Sequence, residues 1–248
     1  MALQTRQRRP IDTPSMNPTQ APTISGISSM ATRQLLAELA GAYRRHGGPQ
    51  VVFESVGGVD AARRVQAGER FDVVVLAADA IAKLVAAGRV VEGSQADLVR
   101  SGVAIAVRAG APRPDIGSED ALRRTVLAAR SIGYSTGPSG VALAALFERW
   151  GIADAIKERT VQAPPGVPVG TLVARGEVEL GFQQLSELMH LEGIAVLGPM
   201  PPGIEIVTTF SAGLCATAGQ PAAVAALIAY LRSSAAAEAK RRHGVEPA

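Results

Sequence analysis

The stretch that decides the fold is Val65-Gln-Ala-Gly68-Glu-Arg-Phe-Asp72-Val-Val-Val-Leu76, with a shorter counterpart in Val173-Ala-Arg-Gly176-Glu177 leading into Leu180-Gly-Phe182. Each reads as the end of a helix, a glycine just past it, and a strand. Val73 to Leu76 is a continuous apolar run, the mark of a strand covered on both faces. A glycine stop before a strand is common, so the match supports two similar α/β lobes without proving a repeat.

The same alternation extends in both directions. Leu35, Leu36, Leu39 and Tyr43 form one apolar stripe on a helix that Ser28 or Ser29 is placed to cap. Val51 to Phe53 reads as a strand, Val59 to Ala67 as a helix stopped at Gly68, and Asp79 to Ala87 as a helix stopped at Gly88. Val103 to Val107 is the next strand. After the Pro and Gly cluster of Ala111 to Gly117 come a helix from Glu119, a strand at Ile132 to Tyr134 and a helix from Val141 to Trp150. Strands are predicted at Leu180 to Phe182, Ile194 to Leu197, Ile204 to Phe210 and Leu214 to Thr217, followed by two closing helices. The expected division is a tail over 1–23, one lobe from 24–107 and 204–248, and a second lobe over 108–203.

Composition narrows the function classes. An apolar content of 47% in 248 residues is that of a chain with a proper core, so disorder of the whole is excluded. Residues 1–23, rich in Pro, Thr, Gln and Arg and without apolar period, are expected to be disordered. Twenty-five basic against 22 acidic side chains leave +3, and Arg6, Arg8 and Arg9 against Asp12 already account for +2. The body is near neutral, so no basic face for nucleic acid is expected. Cys215 is the single cysteine, and the histidines are His46, His190 and His243, which excludes a disulfide scaffold and argues against a metal enzyme. No cofactor is called for. No window approaches the roughly 20 apolar residues of a membrane span. Arg8 and Arg9 are followed by Pro10, Ile11, Asp12 and Thr13, not by the apolar stretch of an export leader. The expectation is a cytoplasmic protein, or a periplasmic one if the start, for which Met16 is an alternative, is misjudged.

In open α/β sheets ligands bind beyond the carboxyl ends of strands. Four such turns are rich in small, hydroxyl or amide residues: Gly26 to Arg33, Glu54 to Gly58, Tyr134 to Gly140, and Phe182 to Glu187. Glycine admits close backbone approach, hydroxyls donate, and a helix start carries about half a positive charge, so together they form an anion cradle. A serine there also serves as a plain cap worth about 1 kcal/mol, and the binding reading rests on several loops converging. Arg33, one turn inside its helix, reaches back toward the loop mouth in this geometry, and its fork suits a carboxylate. The expected ligand contacts are Ser28, Ser29, Arg33, Ser55, Thr136, Ser139, Gly140, Val141, Gln183 and Gln184. Phosphate-loop and dinucleotide fingerprints are missing, so nucleotides are not favoured. Ser139 sits in Gly-Pro-Ser-Gly, which departs from a hydrolase elbow, with His190 as the one plausible partner. Glu187 and His190, three apart on a short helix, are read as an exposed pair, and Phe147 and Trp150 as packing against the second lobe and not as ligand contacts.

From Ile24 onward the chain resembles the type II periplasmic solute-binding proteins, and among them the molybdate-binding component of ABC transporters. The resemblance rests on Ser28-Ser29, Ser55, Gln66 to Val75, Gly137-Pro-Ser139-Gly140-Val141-Ala142, Leu172 to Glu177 and Ile228-Ala-Tyr-Leu-Arg-Ser233, in that order along the chain. It implies an α/β fold of two lobes joined by two crossing segments, with a small anion held between them and a transporter permease as partner. Ser28 or Ser29, Ser55 and the Ser139 to Val141 helix start would be the binding groups. The family's tyrosine after the strand ending Phe182-Gln183-Gln184 has no counterpart here. That departure, with the charge of Arg33, points to a solute-binding protein whose anion is an organic carboxylate ahead of a molybdate-like oxyanion. Proteins similar to this group include aconitate isomerases, which shift a proton on an unsaturated tricarboxylate, so isomerase is the alternative. No catalytic base is evident from the sequence.

Overall fold

The computed structural model describes residues 23–248. The expected disorder of the N-terminal tail therefore concerns residues almost all outside the described part. The strands are β1 (Ile24–Ser29), β2 (Val51–Val56), β3 (Val73–Ala77), β4 (Ala96–Arg108), β5 (Ile132–Tyr134), β6 (Thr160–Gln162), β7 (Leu180–Gln184), β8 (Ile194–Pro199), β9 (Val207–Leu214) and β10 (Glu246–Pro247). The helices are α1 (Arg33–Arg45), α2 (Gly58–Gln66), α3 (Ala78–Ala86), α4 (Glu119–Ala128), α5 (Pro138–Arg149), α6 (Ala153–Ile156), α7 (Val169–Arg175), α8 (Leu185–Leu188), α9 (Pro221–Arg232) and α10 (Ala237–Arg242).

The strands run in the order β2-β1-β3-β9-β4-β7-β5-β6, with β8 and β10 also pairing with β4. Strand β4 is the spine. Its residues Ala96 to Gly102 pair with β9, and Val103 to Ala106 pair with β7, so one strand serves both lobes. The partner change falls at Gly102–Val103, ahead of the boundary at 107–108 expected from sequence. Return to the first lobe runs from β8 to β9.

Each lobe has its own core. In the first, β3 is buried along its whole length, as its unbroken apolar run requires. Burying a Val or Leu side chain is worth about 1.5–3 kcal/mol. Helices α1, α9 and α10 cover one face of this half-sheet through Leu35, Leu36, Leu39, Val224, Leu227, Leu231 and Ala239. Helices α2 and α3 cover the other through Ala61, Val65, Ile81 and Leu84. In the second lobe Leu122, Leu143, Phe147, Ile105 and Phe182 pack together. Trp150 closes α5, 8% exposed, with Nε1 donating to Glu119 Oε1 at 2.6 Å.

The two glycine stops behave alike. Gly68 and Gly176 take φ of 85° and 75°, a left-handed conformation that ends α2 and α7 before β3 and β7. Elsewhere the structure corrects the sequence reading. The segments 204–210 and 214–217 are not two strands: β9 runs unbroken through Gly213, where an added Cβ would lie 2.6 Å from Val90. That glycine admits a neighbour instead of marking a turn. Among the described residues no single helix is long and apolar enough to cross a membrane.

Candidate functional site

The parallel strands β1, β2, β3, β5, β6 and β7 end toward one cleft of about 760 Å³ between the lobes. From the first lobe it is lined by Ser29, by Gly57 and Gly58 at the start of α2, and by Ala77 and Asp79 at the start of α3. From the second it is lined by Ser135 to Ser139 at the start of α5, by Ala163, Pro164 and Gly166 to Pro168, and by Gln183, Gln184 and Glu187. Helix starts from both lobes thus face the same space, and their partial positive charges favour an anion there. The sequence folds this way because each loop sits on a strand end whose neighbours are buried, leaving only the last residues free to point outward.

The structure brings together part of the expected set. Ser29, Thr136, Ser139, Val141, Gln183 and Gln184 all line the cleft. Gly140 lies behind it: a Cβ there would meet the carbonyl oxygen of Ser135 at 1.8 Å, so only glycine lets α5 start against this loop. Ser28 is fully buried and shares a hydrogen bond with Ser55, Oγ to Oγ 2.8 Å. Arg33 and Ser55 do not reach the cleft. They line a separate depression of about 450 Å³ between α1 and β2, with Arg44, Gln50 and Phe53. The helical turn Met30–Thr32 precedes α1 and carries Arg33 past the loop mouth.

Two glutamines at the end of β7 have distinct surroundings. Gln184 donates Nε2 to Thr208 Oγ1 at 2.9 Å, and its buried Oε1 has no hydrogen-bond partner among the described residues. Gln183 accepts the Gly170 amide at Oε1, 3.1 Å, and donates Nε2 to Glu187 Oε2 at 2.7 Å. Burial pushes the Glu187 carboxyl up to about 7, against the opposing pull of the Gln183 hydrogen bond. Its value suits a group that takes and returns a proton near neutral pH.

Glu187 does not form the exposed pair with His190 that the sequence suggests: it lines the cleft. Helix α8 ends at Leu188, and His190 is exposed beside His243, Nε2 to Nδ1 3.2 Å. The available signal was position: Glu187 follows a fully buried strand by one turn, where side chains face the cleft. Among the described residues no three His, Cys, Asp or Glu side chains gather in a way that could hold a metal ion.

A family model described as bacterial extracellular solute-binding protein matches residues 24–246. The chain belongs to this family. This solute-binding protein is 37% identical over 241 residues to an aconitate isomerase of a Pseudomonas species, covering 95% of this chain and 92% of that one. In fold it is similar to the periplasmic molybdate-binding protein of Azotobacter vinelandii, with TM-score 0.75 and 19% identity over 90% of this chain and 98% of that one. It is similar too to the sulfate-binding protein of Mycobacterium tuberculosis, with TM-score 0.72 and 20% identity over 91% and 86%. The two-lobed fold of the solute-binding protein is thus the one the resemblance implied.

Proposed function

We propose that the cleft binds a small organic polycarboxylate and that Glu187 moves a proton on it, making the chain an isomerase of an unsaturated tricarboxylate such as aconitate. The observation that carries this is the place of Glu187: a carboxyl group on the cleft wall, one turn from Gln183 and Gln184, and the one ionisable side chain of the second-lobe lining. The 37% identity to an aconitate isomerase supports the same reading. Ser29, Thr136, Ser139 and the start of α5 are the groups that would hold carboxylates, through hydroxyl and amide donors and the helix-end charge.

The chemistry asks for little more. A methylene between a carboxylate and a double bond is acidified by the charge delocalised when its proton leaves, and fixed donors stabilise that charge as it forms. Glu187 is the one group of the second-lobe wall with proton-accepting character.

A second reading is a receptor that delivers its anion to an ABC transporter permease without changing it. The neutral donors of the second-lobe wall favour it, since a tetrahedral oxyanion is held well by hydroxyls and amides. One experiment separates the two. The purified protein is screened by thermal shift against trans-aconitate, cis-aconitate, molybdate, tungstate and sulfate, with proton NMR on each stabilising ligand. A tricarboxylate that stabilises and then changes its spectrum is the expected result. Stabilisation by an oxyanion alone would overturn the isomerase.

A further inference from the structure

We infer that Gln183 is a positioning residue, which occupies one oxygen of Glu187 and leaves the other as the single proton carrier of the cleft. The inference rests on the proton-shift reading above and goes on to say how the shift is made. Gln183 is 3% exposed and its amide is used at both ends. The Gly170 backbone N–H is a donor and nothing else, so the amide end facing it at 3.1 Å has to be the carbonyl. The NH2 end is thereby turned to Glu187 Oε2, 2.7 Å away. No flip of the amide satisfies both neighbours.

The anchor is itself fixed. A Cβ on Gly170 would lie 2.5 Å from Leu191 and 3.0 Å from Leu188, so α7 is packed tightly against α8 and the residues after it. Gly170, Gln183 and Glu187 form one relay from the backbone of α7 to the cleft. It ends on Oε2, and Oε1 of Glu187 remains for the ligand.

The other ionisable side chains that line the cleft are Arg63, Asp79 and Lys83, all of the first lobe. Arg63 pairs with Asp60 at 2.5 Å and Lys83 with Asp79 at 3.9 Å; Arg63, Lys83 and Asp79 are solvent-exposed and Asp60 is half-buried. Asp79, the other carboxylate among the described residues that line the cleft, is exposed beside Lys83, whereas Glu187 is held in the second-lobe wall by buried Gln183. One oxygen then does both halves of the reaction. Oε1 takes the methylene proton, and the C–H electron pair enters the allylic system. The same Oε1–H then returns its proton to the carbon at the other end. One C–H bond breaks, one forms on the same face, the double bond moves by one position, and Glu187 is again a carboxylate.

The test uses the full chain with aconitate carrying deuterium at its methylene, turned over in ordinary water and sampled at early conversion by mass spectrometry and NMR. The expected result is that a measurable fraction of product keeps the label at the new methylene. In Gln183→Met, which has no donor for Oε2, kcat/KM falls about tenfold or more with KM little changed, and the acid limb of its pH profile moves to higher pH. Complete loss of label at the earliest time overturns proton return by a single carrier. An unmoved acid limb in Gln183→Met overturns the positioning role. If the wild type turns over no tricarboxylate, the functional reading fails and proton return with it. The positioning role is then decided by 13C NMR titration of the Glu187 carboxyl: a midpoint that rises in Gln183→Met sustains it, and an unchanged midpoint overturns it.

Discussion

The hydroxyl oxygens of Ser28 and Ser55, direct neighbours across the β1–β2 ladder, lie 2.8 Å apart and face each other instead of the cleft. Ser28 is fully buried, so its hydroxyl is satisfied inside the protein. Ser55→Ala is therefore expected to cost about 1 kcal/mol of stability through the lost hydrogen bond while leaving cleft affinity unchanged. Urea denaturation and calorimetric titration on the same variant check the two halves separately.

Arg33 and Ser139 make a contrasting pair. Arg33 lines the depression beside β2, whereas Ser139 lines the cleft at the start of α5. Arg33→Ala should leave ligand affinity unchanged, and Ser139→Ala should weaken it by about 1 kcal/mol. A loss in Arg33→Ala comparable to that in Ser139→Ala, measured by calorimetry, would contradict this placement.

Gly140→Ala is expected to be severe. The new methyl group would sit 1.8 Å from a backbone carbonyl, which no side-chain rotation relieves. The start of α5 must shift, at a cost of about 2 kcal/mol or more, and cleft affinity falls with it. Denaturation midpoint and ligand titration should change together.

Glu187 gives the cleft a pH dependence whose sign is fixed. Its folded value, raised to about 7, lies above that of the unfolded chain, so the fold favours the protonated form. The stability contributed is full below about pH 4 and is lost as pH rises toward the folded value. The melting temperature of Glu187→Gln minus that of wild type should thus grow from acid to neutral pH. A flat difference would mean that the carboxyl titrates normally.

Asp72 works in the opposite sense. Burial raises its carboxyl, but hydrogen bonds from the Ser25 amide, the Gly219 amide and the Ser25 hydroxyl outweigh this and hold it below the ordinary value. That stabilisation is present above the ordinary aspartate range and is lost as pH falls through the lowered folded value. Asp72→Ala unties β1 and the turn at Gly219 together, at about 2 kcal/mol at neutral pH, with a smaller loss in acid. Denaturation curves at two pH values test it.

Much of the fold is legible in the chain because local and tertiary demands agree there. Val73 to Leu76 is apolar throughout because both its faces are covered, and Gly68 and Gly176 end helices because only glycine turns left-handed at little cost. Gly213 misleads, since nothing local distinguishes a glycine that breaks a strand from one that makes room for Val90. The site is legible where position alone decides, as at Ser29 and Gln184 on strand ends and at Thr136 and Ser139 in the turn from β5 into α5. It is not legible at Arg33, where a three-residue turn before α1 redirects the side chain. Glu187 is hidden for another reason. A glutamate on a short helix is usually solvated, and its environment is set by Gln183 and Gly170, which only the packing of α7 brings near.

The chain carries one tryptophan, and Trp150 stands at the far end of the helix whose first residues edge the cleft. With Nε1 held by Glu119 and the ring against Phe147, its emission reads the second lobe and is blind to the first. The protein has in effect a built-in optical probe of one jaw. Fluorescence that changes during unfolding before circular dichroism does would show the second lobe opening on its own, with no label attached.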